Sequence, residues 1–178
     1  EARFANIALA TLQLGIFGEH CYAIVAYLMI GFIIFSEMYL LAQCIGKENR
    51  GLILPISIPM IMIQLLYCPF PEESFYWYTG AVNYTGIYSL SLILVGLVLK
   101  LATRELKKVD RILSLVITCI LAILVGGDNL ATSLSTFCLL VLLEIVFLAK
   151  NKDGFRRTWF VVLVNIASLC IVCFSTRT

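Results

Sequence analysis

The chain has 178 residues, 61% hydrophobic and 13% charged, with a mean hydropathy of +0.99 and a formal net charge of +2. Water-soluble domains run at about 45–50% apolar and about 25% charged residues, and a chain this small has no core large enough to hide such an excess. The same arithmetic excludes disordered, collagenous and disulfide-framework proteins, and so small a net charge gives no reason to expect nucleic acid as a partner. The composition is that of an integral membrane protein.

The first apolar stretch, Phe4 to Phe17, has 14 residues, fewer than the about 20 that a span needs. With Glu1 rather than Met in front of it, the stretch reads as a truncated N-terminal span of a longer protein. The runs that follow predict six spans at roughly 21–45, 52–68, 84–103, 112–130, 131–149 and 158–174. Lipid offers backbone groups no hydrogen bonds, so spans are helices or a closed barrel. The alternating segments of about ten residues that mark barrel strands are missing. The expected fold is therefore all-α, a polytopic transmembrane helical bundle of about six spans plus the truncated one, forming a single transmembrane domain over residues 1–178.

Between the first two spans lie Lys47 and Arg50; the third and fourth are joined through Arg104, Lys107, Lys108 and Arg111; the fifth and sixth through Lys150, Lys152, Arg156 and Arg157. If every span crosses, these loops share one side, Lys100 and Arg3 join them, and Arg177 alone lies opposite. The positive-inside rule makes the basic side cytoplasmic, which implies a multi-pass protein of the cell membrane. The other side carries Glu19, His20, Glu72, Glu73, Asp128 and Asn129, with aromatic residues at Phe75–Tyr78.

Along the chain, Glu19-His20 reads as a solvated turn, since one histidine among scattered acids is a poor metal set. Glu37 and Glu144 fall inside spans near their cytoplasmic ends, where each is expected to be structural, neutral or paired with a Lys or Arg. Pro55 and Pro59 interrupt the second span. Pro69 and Pro71 end it. Read as a helix, the next stretch places Glu73, Trp77 and Ala81 on one face and Phe75, Tyr78 and Val82 on another. An aromatic belt at the interface accounts for the rings, but adjacent carboxylates and Asn83 favour a segment that lines a substrate. Asn83-Tyr84-Thr85 matches a glycosylation acceptor, taken as fortuitous at the membrane edge. Gly126-Gly127-Asp128-Asn129 reads as a tight helix–helix turn, with the alternative that its glycines admit a ligand to the backbone. The seven cysteines lie in or beside spans, and Cys170-x-x-Cys173 has no second ligand pair, so no metal is expected.

Glu73-Ser-Phe-Tyr-Trp-Tyr-Thr-Gly-Ala-Val-Asn-Tyr84, Gly126-Gly-Asp-Asn-Leu-Ala-Thr-Ser-Leu134 and Ser175-Thr-Arg177 together resemble the pattern of a bacterial family of polytopic membrane proteins. That family is similar to the GT-C glycosyltransferases, which use polyprenyl-phosphate sugars on the outer membrane face. The resemblance runs from Glu72 to the C-terminus; a proline that follows the Asn-Tyr pair in the family is replaced here by Thr85-Gly86-Ile87-Tyr88. It implies a lipid-phosphate sugar donor, with Glu72, Glu73 and Asp128 as sugar or metal contacts, Asn83 and Asn129 as further substrate-binding residues, Trp77 and Tyr78 as stacking rings, and Arg177 as the phosphate ligand. It assigns no catalytic residue and no cofactor within this chain. Glu73, Trp77, Asn83 and Asp128 are expected to converge on one outer pocket. The alternative is a transporter or flippase for a lipid-linked or small polar solute, and the third reading is a structural membrane subunit.

Overall fold

The computed structural model describes residues 22–128, 130–150 and 152–175; the expected span at 4–17 lies outside them. The described part is almost wholly helical, with short breaks between helices. Helix α1 is Tyr22–Cys44; a 3-10 helix, Lys47–Leu52, leads into α2, Ile53–Leu66. A π turn, Glu72–Tyr76, precedes α3, Tyr78–Ala81, and a second π turn, Val82–Gly86, joins α3 to α4, Ile87–Thr103. The last three helices are α5, Lys108–Gly126, α6, Leu130–Lys150, and α7, Lys152–Ser175. Six helical stretches are long and apolar enough to cross a membrane, with Tyr78–Thr103 counted as one of 26 residues. The chain is a polytopic α-helical membrane protein.

The residues that face outward explain why water is not the solvent. Ile24, Tyr27, Leu28 and Phe35 of α1 and Leu139, Leu142, Ile145 and Leu148 of α6 are all exposed, which suits hydrocarbon and not water. The third span starts at Tyr78 rather than near 84, because the helix begins directly after Trp77, whose backbone is extended (φ −84°, ψ 114°). Likewise α7 begins at Lys152, so Arg156 and Arg157 stand in its first turns rather than in a loop. Basic residues oppose the positive end of a helix dipole; Asp153 in the same turn offsets this, and Arg157 reaches exposed Glu105 at 3.0 Å.

Two compact units divide the described residues, 22–93 and 94–175, with the division inside α4. In the N-terminal unit α1 packs on α2, on the first π turn and on residues 78–86. Its apolar centre is Val25, Tyr78, Ala81 and Val82, with Met29 against them. Helix α2 has Pro55 in its first turn, where backbone N–H groups lack helical partners anyway, and Pro59 in its interior, where a helix bond is lost.

In the C-terminal unit α7 packs along both α5 and α6. The buried residues of α7 are Gly154, Thr158, Val161, Asn165, Ser168, Leu169 and Val172, and all but Leu169 follow a three–four spacing like a coiled-coil seam. Helix α5 answers with Ser114, Thr118, Ala122 and Val125. Small residues line the seam because helix association in lipid depends on close backbone approach rather than on hydrophobic expulsion. Two of the seam hydroxyls bond within their own helices, Thr118 Oγ1 donating to Ser114 O at 2.6 Å and Thr158 Oγ1 to Gly154 O at 3.0 Å.

Candidate functional site

Three polar places stand out, two in the N-terminal unit and one in the C-terminal unit. The first is the segment between α2 and α4. The π turn closes with Trp77 N–H on Glu72 O at 2.9 Å, and α3 opens with Ala81 N–H on Trp77 O at 2.7 Å. Side chains brace it: Thr85 Oγ1 donates to Ser74 O at 2.6 Å, and Cys68 Sγ to Ser74 Oγ at 3.4 Å. Gly80 lies so close beneath the Glu73 carbonyl that a Cβ there would overlap it, and the same Cβ would sit 3.3 Å from the Trp77 ring. Glu73 and Trp77 are thereby gathered over Gly80. Glu72, Glu73 and Trp77 are exposed, whereas Tyr78 and Asn83 are buried.

The break at Trp77 changes the faces that a continuous helix would have. Phe75, Tyr78 and Val82 are buried together, as the spacing predicts. Ala81 is fully buried as well, rather than sharing an outer face with Glu73 and Trp77, because the helix restarts after Trp77 with a new phase. Asn83 is buried with Oδ1 unbonded, and Thr85 spends its hydroxyl on Ser74. The Asn83-Tyr84-Thr85 acceptor pattern is therefore folded inward. Single π turns of this kind are frequent at functional sites.

The second place lies within the spans, and sequence reasoning placed only one of its members. Glu37 of α1 is 2% exposed. Gln64 of α2 donates from Nε2 to Glu37 Oε1 and also to the Tyr88 hydroxyl of α4, the latter at 3.1 Å. The partner of Glu37 is thus an amide; of the two expectations, a neutral acid or one paired with a Lys or Arg, the pairing is not the one seen. An ionised acid at the centre of a span costs about 2.5–3.5 kcal/mol on insertion scales, and such residues mark functional positions by default. The available signal was Ser36-Glu37 in three–four register with Ile33 and Ala26 on α1, which identifies the buried face. Glu144 of α6 is also buried, beside Thr158 of α7 rather than beside a cation.

The third place is the end of α5. Gly127 has φ −93° and ψ 8°, so the turn uses no left-handed backbone there. The last carbonyls of α5 are taken by neighbouring helices: Ala122 O by Asn165 Nδ2 at 3.0 Å, Ile123 O by Ser168 Oγ at 2.8 Å, and Val125 O by Ser133 Oγ at 2.6 Å. What comes close to Gly126 is α7: a Cβ would meet Asn165 O and Ser168 Cβ, each at 2.9 Å. The glycine serves helix packing, and the neighbour at its backbone is protein rather than a ligand. Asp128 is fully buried in this turn. Asn129 and Arg177 lie outside the described residues.

The fold and these sites define a multi-pass helical membrane protein with polar groups both inside its spans and at the end of one helix pair. Comparison with family models, curated proteins and solved structures finds no match to this chain.

Proposed function

We propose that this chain serves a bacterial membrane glycosyltransferase of the GT-C kind, which transfers a sugar from a polyprenyl-phosphate donor on the extracytoplasmic face of the cell membrane. The observation that carries the reading is the braced segment at 72–86, which presents two adjacent carboxylates and an indole, all exposed, beside a membrane span. Carboxylates accept hydrogen bonds from sugar hydroxyls, and a rigid aromatic ring covers the apolar face of a sugar. The bracing by Thr85 and Gly80 holds these groups in place before a substrate arrives, which suits recognition. The basic loops are then cytoplasmic. Asn83, with a free amide oxygen, and Tyr78 form the floor behind the exposed groups. Arg177 is the cation for the leaving phosphate, since a guanidinium binds phosphate bidentately.

The test is transfer of labelled sugar from a polyprenyl-phosphate donor by the protein in lipid vesicles. Arg177→Ala should lower turnover about a hundredfold, as loss of a charge-stabilising donor does, and Arg177→Lys should restore only part of it. Trp77→Ala should raise KM with little change in kcat, because stacking stabilises ground and transition states alike. Unchanged transfer in Arg177→Ala and in a Glu72→Ala/Glu73→Ala double variant would overturn the reading. A transporter or flippase is the second reading, favoured by the acid inside α1 and by Pro59, which interrupts the helix that carries its partner.

A further inference from the structure

Glu37 has no task in a reaction at the membrane surface, yet it is bonded to α2 and, through that bond, linked to α4. Gln64 bridges it to Tyr88, while Glu37 Oε2 and Gln64 Oε1, both buried, take no hydrogen bond among the described residues. Tyr88, 37% exposed, is the open end of the cluster. Of the other titratable groups on elements packed against α1, Glu72, Glu73 and Tyr76 on the first π turn and Tyr84 on the second are exposed. Tyr78 packs at Val25, about 18 Å along α1 from Glu37 at helical rise. Gln64 and Tyr88 are the groups that face the acid.

An ionised carboxylate only accepts hydrogen bonds, whereas a carboxylic acid also donates one. A side-chain amide can meet either form, because turning it over exchanges its NH2 for its carbonyl. With Glu37 ionised, Gln64 Nε2 donates to Glu37 Oε1 and to the Tyr88 oxygen, as observed. With Glu37 protonated, the turned amide accepts from the Glu37 O–H and from the Tyr88 O–H at the same positions. The two contacts of Gln64, to Glu37 and to Tyr88, can thus be kept in both protonation states.

We propose that Glu37, Gln64 and Tyr88 form a site inside the helix bundle that binds and releases one proton, the Gln64 amide turning over as the proton arrives. The proton comes from the aqueous phase and forms the O–H bond of Glu37; no other bond is made or broken. The site is independent of the reaction at the outer face, and its test uses no sugar substrate. Infrared difference spectra of the protein in lipid vesicles, recorded as pH is lowered, should show a carboxylic C=O band growing in. That band should be absent in Glu37→Gln, shifted in frequency in Tyr88→Phe and in Gln64→Leu, and retained in Glu144→Gln. A band that persists in Glu37→Gln, or that disappears only in Glu144→Gln, overturns the proposal. If Glu37→Gln does not insert, a titrating band that neither Tyr88→Phe nor Gln64→Leu moves overturns it equally.

Discussion

At the scale of single residues, the polar groups of this chain behave according to whether a neighbour can satisfy them. Gln64 has its amide nitrogen engaged by Glu37 and by Tyr88, so removal of the acid leaves a buried donor short of a partner. Glu37→Leu should destabilise by about 1–3 kcal/mol, the cost of an orphaned buried polar group. Glu37→Gln should cost less, and Glu37→Leu combined with Gln64→Leu should recover much of the loss. Reversible unfolding of the wild type, Glu37→Leu, Gln64→Leu and the double Leu variant in detergent gives the coupling energy; strict additivity would mean that the bond contributes nothing. Gly80→Ala is a second case. Its Cβ would meet the Glu73 carbonyl and the Trp77 ring, so the π turn must shift, at about 1–3 kcal/mol for an overpacked site. Altered Trp77 emission, read in a Trp159→Phe background, should accompany that loss. Neither the Gln64 bridge nor the crowding at Gly80 was legible in the sequence, since both join groups far apart in turn phase or on different helices.

At the scale of elements, the contrast between two glycines shows what governs packing in this fold. Gly126 of α5 lies against α7, where a Cβ would approach Asn165 O and Ser168 Cβ to 2.9 Å. Gly126→Ala should therefore separate α5 from α7 and destabilise by about 1–3 kcal/mol. It should also weaken the bonds from Asn165 and Ser168 to the last carbonyls of α5. Gly31 of α1 has nothing within 4 Å of its Cβ position, so Gly31→Ala should be neutral or stabilise by about 0.5–1 kcal/mol through helix propensity. The same unfolding measurement ranks both, and a larger loss at Gly31 would contradict the packing argument. The paired glycines were visible in the sequence as a helix–helix turn, and that reading holds. Which helix approaches them was not, because the seam of α7 comes into contact only when the unit is assembled.

At the scale of the whole molecule, the helices fit a membrane, and the positive-inside rule predicts its orientation. Among the described residues six helical stretches suffice to cross; if each does, one crossing separates the Arg104–Arg111 region from Glu72–Asn83. With the native cysteines replaced, a cysteine at Lys108 should resist an impermeant thiol reagent in intact cells, and one at Glu72 should react. Labelling at Lys108 with protection at Glu72 would invert the topology and remove the outer-face basis of the sugar-transfer reading. A seam of Ser, Thr, Asn and Gly at three–four spacing was written in α7 all along, and it identifies the buried side once the helix limits are known.

Composition and run length by themselves determined that this protein is a membrane-spanning bundle of helices, and its charges divide the connecting loops into a basic and an acidic set. That much is legible because burial in lipid acts on each helix separately: about 20 apolar residues in a row specify a span whatever surrounds them. The restart of the helix at Trp77, the inward turn of Asn83 and Thr85, and the service of Gly126 to α7 were decided by tertiary structure. So was the meeting of Glu37, Gln64 and Tyr88, which stand on three helices at sequence separations of 27 and 24 residues. A hydrogen bond between helices depends on rotation and depth of both partners, quantities that the apolar pattern of either one leaves open and that packing alone sets.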